Sequence, residues 1–283
     1  MFFVLFLVTI FAGIAGGKWL LHSTWFRSRR RERHVDLCLV LLYLIQDIQR
    51  HRGLSGALLD GHKEFRAERE ATELRLQRSL GAVVEQFGER HPLFHTAPWR
   101  VMLGHWEALH NNWQSLDFFS GMIAHSNVVG EMVEIVRSLA EEHRLQLGES
   151  RVRALGEWPA VIEQLGMLRA LGLHALSENA TVDAEQLDQL VARYLRLARK
   201  SLQSAALEDA SPSLIARTRR ALDRVEWLLD GNSARYHPYT FYEELTGVID
   251  DWYSKTREYL RGPEPAARPT HPRKRNNEVI GVS

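Results

Sequence analysis

The chain has 283 residues, 45% of them hydrophobic and 25% charged, with 36 basic against 35 acidic side chains. That mix belongs to a globular protein. It excludes a mostly disordered chain and a polytopic membrane protein, and the balanced charge offers no global argument for nucleic acid as a partner. The one cysteine, Cys38, excludes a disulfide framework and any multi-cysteine zinc site.

Residues 1–17 carry no charge, and Lys18, Trp19, Leu20 and Leu21 follow. A helix over 1–21 spans about 31 Å, enough for a bilayer core, with Lys18 and Trp19 suited to the interface. No basic residue precedes Lys18, which favours an uncleaved anchor over a secretory signal peptide. The segment 22–34 is basic through Arg27, Arg29, Arg30, Arg31 and Arg33, and such a flank tends to stay cytoplasmic. The expected topology is therefore a single-pass inner-membrane protein with its main domain on the cytoplasmic side.

Beyond residue 34 apolar residues recur at spacings of three and four, and no segment alternates as a strand does. The pattern predicts helices at 35–60, 63–90, 98–115, 117–146, 158–178, 183–208, 213–231 and 238–261. Trp158-Pro159, Ser211-Pro212 and His237-Pro238 mark helix starts, where proline is tolerated. Asp60-Gly61 and Asp230-Gly231 mark ends, and Asp183 is a candidate cap. The fold class is all-α: an anchor, then an elongated helical bundle over 35–261, read as two packed four-helix bundles or one longer bundle with extra helices. The proline-rich stretch 262–283 reads as a disordered tail.

Two arginines sit on apolar helix faces. Leu41, Ile45 and Ile48 lead by threes and fours to Arg52, beside Ser55 and Gly56. Ile162 and Leu165 lead in the same way to Arg169, with Gly166 and Gly172 nearby. Aligning the arginines also aligns Leu54 with Leu171 and Leu59 with Leu176, a suggestion of internal duplication. A buried guanidinium needs a partner. Glu163, Asp47 and Asp117 are candidate carboxylates. The glycines also leave room for a small anion from solution, which the planar donor fork would suit.

The stretch Gln49-Arg50-His51-Arg52-Gly53-Leu54-Ser55-Gly56 resembles the Glu-Arg-Gly-Leu-Ser signature of nitrate- and nitrite-sensing domains. His125-Ser126-Asn127 resembles a helix start that precedes the second half of such sensors. Trp158-Pro159, Glu163-Gln164-Leu165-Gly166 and Leu168-Arg169-Ala170-Leu171-Gly172 resemble the second-half motif. Phe241 to Asp250 resembles a late-helix pattern. The resemblance covers roughly 40–261 in order. It implies two packed helical bundles and nitrate or nitrite held by arginines. Carried over by position, the ligand-binding residues are Arg52 and Arg169, then Arg50 and His51. His51 stands where the family has Glu, so a cation is expected in place of a carboxylate, with consequences for the preferred anion.

Other constellations carry less. Glu107-x-x-His110 has di-iron spacing but no second copy, and Pro92 interrupts His91 and His95, so no metal is assigned. Cys38 reads as a small core residue and Trp99, Trp106 and Trp113 as a packed stripe. The arginines from 193 to 224 read as solvated faces. No catalytic motif, cofactor motif or output module is present, so the chain reads as a non-enzymatic sensor. Its expected partners are the anion, the membrane, a separate output protein and a second copy of itself.

Overall fold

The computed structural model describes residues 33–89, 91–177, 184–207, 210–228 and 236–262. The expected anchor, nearly all of the basic linker, Asp183, Asp230-Gly231 and the tail beyond Gly262 lie outside the described residues. Every regular element among the described residues is helical. The long helices are α1 (33–59), α2 (Arg66–Phe87), α3 (Ala97–Asn112) and α4 (Phe118–Glu142). After the single turn α5 (Arg144–Leu147) come α6 (Glu149–Ala175), α7 (Ala184–Leu207), α8 (Pro212–Trp227) and α9 (Pro238–Arg261). Among the described residues no helix is long and apolar enough to cross a membrane.

Helix ends follow local chemistry. Thr96, Asp117 and Ser211 accept the backbone N–H of Trp99, Ser120 and Leu214. Proline occupies the first turn of α3, α8 and α9. Gly61 at φ 93° ends α1, and Gly148 at φ 85° separates α5 from α6, both in the region that disfavours a side chain. One expected start is corrected. Pro159 does not open a helix but lies inside α6, which begins at Glu149. The preceding residues Val152, Ala154 and Leu155 are buried, and their packing outweighs the hydrogen bond that proline removes. Likewise His125-Ser126-Asn127 lies within α4 rather than at its start.

The two central helices are α1 and α6. Both are buried on nearly every side: Leu37, Leu41, Leu44 and Ile48 in α1, and Trp158, Leu165, Leu168 and Leu171 in α6. Cross-helix pairs give their relative direction. Gln49 and Arg52 meet Glu163, and Asp60 meets His174, so α1 and α6 run parallel. Helix α9 runs antiparallel to both: Arg257 reaches Gln46 while Arg50 reaches Asp250, and Trp158 touches Trp252 while Arg169 reaches Thr246. Helices α7 and α8 complete a ring of neighbours with α6 and α9. On the other side, α2, α3 and α4 meet α1 through Arg75–Asp47, His51–Trp106 and Arg52–Ser126.

A fully buried arginine that the sequence pattern did not single out secures one end. Arg151 of α6 donates to the carbonyls of Leu147, Leu260 and Gly262, placing its charge at the carboxyl end of α9 where the helix dipole favours a cation. Cys38 is buried, with its thiol pushed up to about 12 by desolvation, as a core residue should be. Trp99 and Trp106 are buried and Trp113 is partly so, with the Arg69 guanidinium 4.0 Å over its ring.

Glycine substitutions test this packing with opposite signs. A Cβ at Gly172 would sit 2.2 Å from Cζ of Phe241, whereas nothing lies within 4 Å of a Cβ at Gly104. Gly172→Ala is expected to destabilise, because overpacking of about 1–3 kcal/mol outweighs a gain of about 1 kcal/mol in helix propensity. Gly104→Ala keeps that gain and stabilises by up to about 1 kcal/mol. Denaturant midpoints at constant m-value check both, and equal effects would contradict the packing described.

Candidate functional site

Arg52 and Arg169 meet between the parallel helices α1 and α6, each 1% exposed. Each lies against a glycine of the opposite helix. A Cβ at Gly166 would fall 2.5 Å from Nη2 of Arg52, and one at Gly53 would fall 3.2 Å from Nε of Arg169. Of the glycines expected to leave room, Gly166 is filled by Arg52, whereas Gly56 faces Phe118 and Gly172 faces Phe241. The cavity beside Arg52, lined also by Ser55, Gly56, Phe118 and His125, has a volume of about 10 Å³, roughly the space of one water.

The two guanidinium groups are compensated differently. Arg52 donates to both oxygens of Glu163, at 2.5 and 3.2 Å, and to Ser126 Oγ at 2.8 Å. Of the three candidate carboxylates, Glu163 is therefore the partner. Asp47 binds Arg75 instead, and Asp117 caps α4. Arg169 has no carboxylate within 4 Å among the described residues. It donates to Thr246 Oγ1 at 2.7 Å and to the Gln49 carbonyl at 2.8 Å, and it lies 4.9 Å over the Tyr242 ring. Burial lowers the Arg169 pKa below its ordinary value, and Arg52 and Arg50 add to that direction. Arginine stays protonated at neutral pH regardless, so the charge is retained. The Nε atoms of both arginines are buried without a hydrogen-bond partner.

Gln49 ties the cluster together. Its Nε2 donates to Glu163 at 2.6 Å, its Oε1 accepts from the Tyr253 hydroxyl at 2.8 Å, and its backbone carbonyl serves Arg169. Gln49, Tyr242 and Thr246 lie within segments that carry the sequence resemblance, yet none is singled out there as a site residue, because neutral polar residues become conspicuous only once buried beside a charge. Arg50, expected as a weaker ligand, is instead a quarter exposed and paired with Asp250 at 2.9 Å. Glu68 of α2 acts on Arg50 and Arg169 electrostatically.

His51 is corrected from a cation to a neutral group. His125 Nδ1–H donates to the Gly121 carbonyl at 2.7 Å, so its Nε2 accepts from His51 Nδ1–H at 2.8 Å. His51 Nε2 is then left as a buried lone pair without a partner. Burial drives both imidazoles toward the neutral form, His125 to about 3 and His51 well below the usual value, with each other's proximity and nearby Arg69 reinforcing His51. His51 touches neither Arg52's carboxylate partner nor Arg169, so it supports α1 against α4 rather than joining the arginine cluster.

This pair sets a pH dependence. Unfolded histidine titrates near 6.5, so below that pH the unfolded chain binds more protons than the folded one. The stability is fully present above about pH 6.5 and falls on acidification by up to about 1.4 kcal/mol per pH unit for each imidazole. Melting temperature is expected to drop between pH 7 and pH 5. In His125→Gln the protein is less stable at pH 7 but the slope is shallower; an unchanged slope would place the titration elsewhere. No family model, curated protein or solved structure matches the chain.

Proposed function

We propose that the chain is a non-enzymatic sensor of a small planar anion, of the nitrate or nitrite class, and that Glu163 occupies the anion's place on Arg52 in the state described. The observation that carries this reading is Arg169: a fully buried guanidinium held, among the described residues, by a hydroxyl, a carbonyl and an aromatic face and by no carboxylate. Buried cations are ordinarily neutralised, and leaving one without a carboxylate is costly. A delocalised anion between Arg169 and Arg52 would meet that need. Further support comes from convergence. The segments around Arg52, Ser126, Glu163 to Arg169 and Thr246 resemble sensor motifs in sequence order, and they meet at this one site.

The mechanism is a shift between two packings. Glu163 is 21% exposed and sits at the rim of the cluster, so its carboxylate swings to solvent when an anion takes its place. The anion then sits between two helices now spaced by Gly53 and Gly166, and α1 moves against α6. In this reading α1–α4 and α6–α9 are two packed four-helix bundles, and residues 1–21 anchor the domain on the cytoplasmic side of the inner membrane. The signal passes to a separate protein or across a homodimer.

A second reading is favoured by one observation, the small size of the cavity lined by Arg52, about the space of one water. There the cluster is structural and the chain is a helical interaction module without a ligand.

Calorimetry on the full chain separates the two, with nitrate and nitrite titrated against chloride. The sensor reading expects saturable binding that Arg169→Met abolishes. Glu163→Gln should tighten it by about tenfold or more, since it removes the competing carboxylate while keeping the shape. No saturable heat in either wild type or Glu163→Gln, both folded, establishes the module reading.

A further inference from the structure

Three histidines from separate segments come together at the end of α1 that lies farthest from Gly61. His34 is in the first described turn of α1, His91 caps the 3-10 turn Pro92–His95, and His143 closes α4. One nitrogen from each lies within 4.8 Å of the other two. The His34 and His143 rings stack with centroids 3.5 Å apart, and His91 stands edge-on to them at 6.2 and 6.0 Å. All three are half-buried, and Nε2 of His143 is shielded from solvent with no hydrogen-bond partner. Three imidazoles from distant segments, each offering a nitrogen to one small volume, are what a transition ion requires.

We infer that His34, His91 and His143 form a binding site for a divalent transition ion of the zinc class, which fastens the start of α1 to the α2–α3 connection and to the end of α4. Imidazole nitrogen suits zinc, copper, nickel and cobalt, and disfavours calcium and magnesium, which take oxygen. Three protein nitrogens leave a fourth position for water, as in zinc sites that keep an open coordination place. At metal–nitrogen distances of about 2.0–2.1 Å, tetrahedral ligand atoms are roughly 3.3 Å apart. The rings therefore close by roughly 1.5 Å at most, which turning His34 off the face of His143 accomplishes. Glu142 adds negative charge beside the ion, since it already acts on both His91 and His143. Burial keeps both of these imidazoles toward the neutral, ligating form.

The site has one internal consequence. His91 Nδ1 accepts the Leu93 N–H at 3.3 Å. Ligation through Nε2 puts the proton on Nδ1, so this long contact is given up when metal binds. The site is independent of the arginine cluster: His34 and Arg52 lie on the same helix about 27 Å apart along its axis.

The test uses the full chain after treatment with a chelator. Zinc is titrated by calorimetry, and cobalt(II) by visible absorption, which distinguishes four-coordinate from six-coordinate ions. One saturable site per chain, a four-coordinate cobalt spectrum and a raised melting temperature with zinc are expected. His34→Gln and His143→Gln should each weaken zinc by at least about tenfold, whereas His95→Gln, an exposed neighbour, should leave it unchanged. Circular dichroism of the metal-free variants separates a lost ligand from a lost fold. Zinc affinity unaltered in folded His34→Gln and His143→Gln overturns the assignment, as does a purely six-coordinate cobalt spectrum in the wild-type protein, which needs no variant to read.

Discussion

Two arginines facing each other across two glycines set the spacing of the central helices. Arg52 of α1 lies on Gly166 of α6, and Arg169 of α6 lies on Gly53 of α1. The arrangement is reciprocal because α1 and α6 run parallel with the two Arg-Gly pairs in matching register. A methyl group at Gly166 would displace the Arg52 guanidinium, and one at Gly53 would press tightly on Arg169 and Tyr242. The remaining helices are arranged around this seam: α9 lies antiparallel against both, carrying Thr246, Asp250 and Tyr253 to it, and α4 brings Ser126.

Putting two like charges in one seam has an electrostatic consequence. In a medium of reduced dielectric they repel, and each must be held by something oriented toward it. The protein gives Arg52 a carboxylate and Arg169 only dipoles and an aromatic ring. In the proposed sensor reading that asymmetry makes Glu163 the exchangeable element, since it is charged and 21% exposed against 1% for Arg52. Gln49 links the two halves by contacting Glu163 through its side chain and Arg169 through its carbonyl, so displacement of one is felt by the other.

The buried imidazoles have a different logic. His51 and His125 form a neutral hydrogen-bonded pair that closes α1 against α4 without adding charge near the arginines. His174 performs a related task at the other end, stacking on Phe118 and meeting Asp60. The same side chain type thus serves as core pair, as helix-end fastening and, at His34, His91 and His143, as a prospective ligand set. Local sequence does not separate these roles: Pro92 beside His91 and the wide separation of the three positions conceal the cluster that folding assembles.

Helical character, most helix ends and the anomaly of Arg52 and Arg169 can be read from the amino-acid sequence alone. These are legible because they rest on local periodicity, on proline and glycine geometry, and on a charge interrupting an apolar stripe. Glu163 was legible as one candidate among three, because the number of acids near an arginine in sequence says little about reach. Tertiary packing alone settles that Pro159 lies inside a helix, that His51 is neutral, that Arg50 pairs with Asp250, and that Gly53 and Gly166 are the glycines against which Arg169 and Arg52 lie. The physical reason is common to all four. Each depends on which side chains come within a few ångströms across helices more than a hundred residues apart in the chain or on burial from several sides, and neither propensity nor spacing along one helix carries that information.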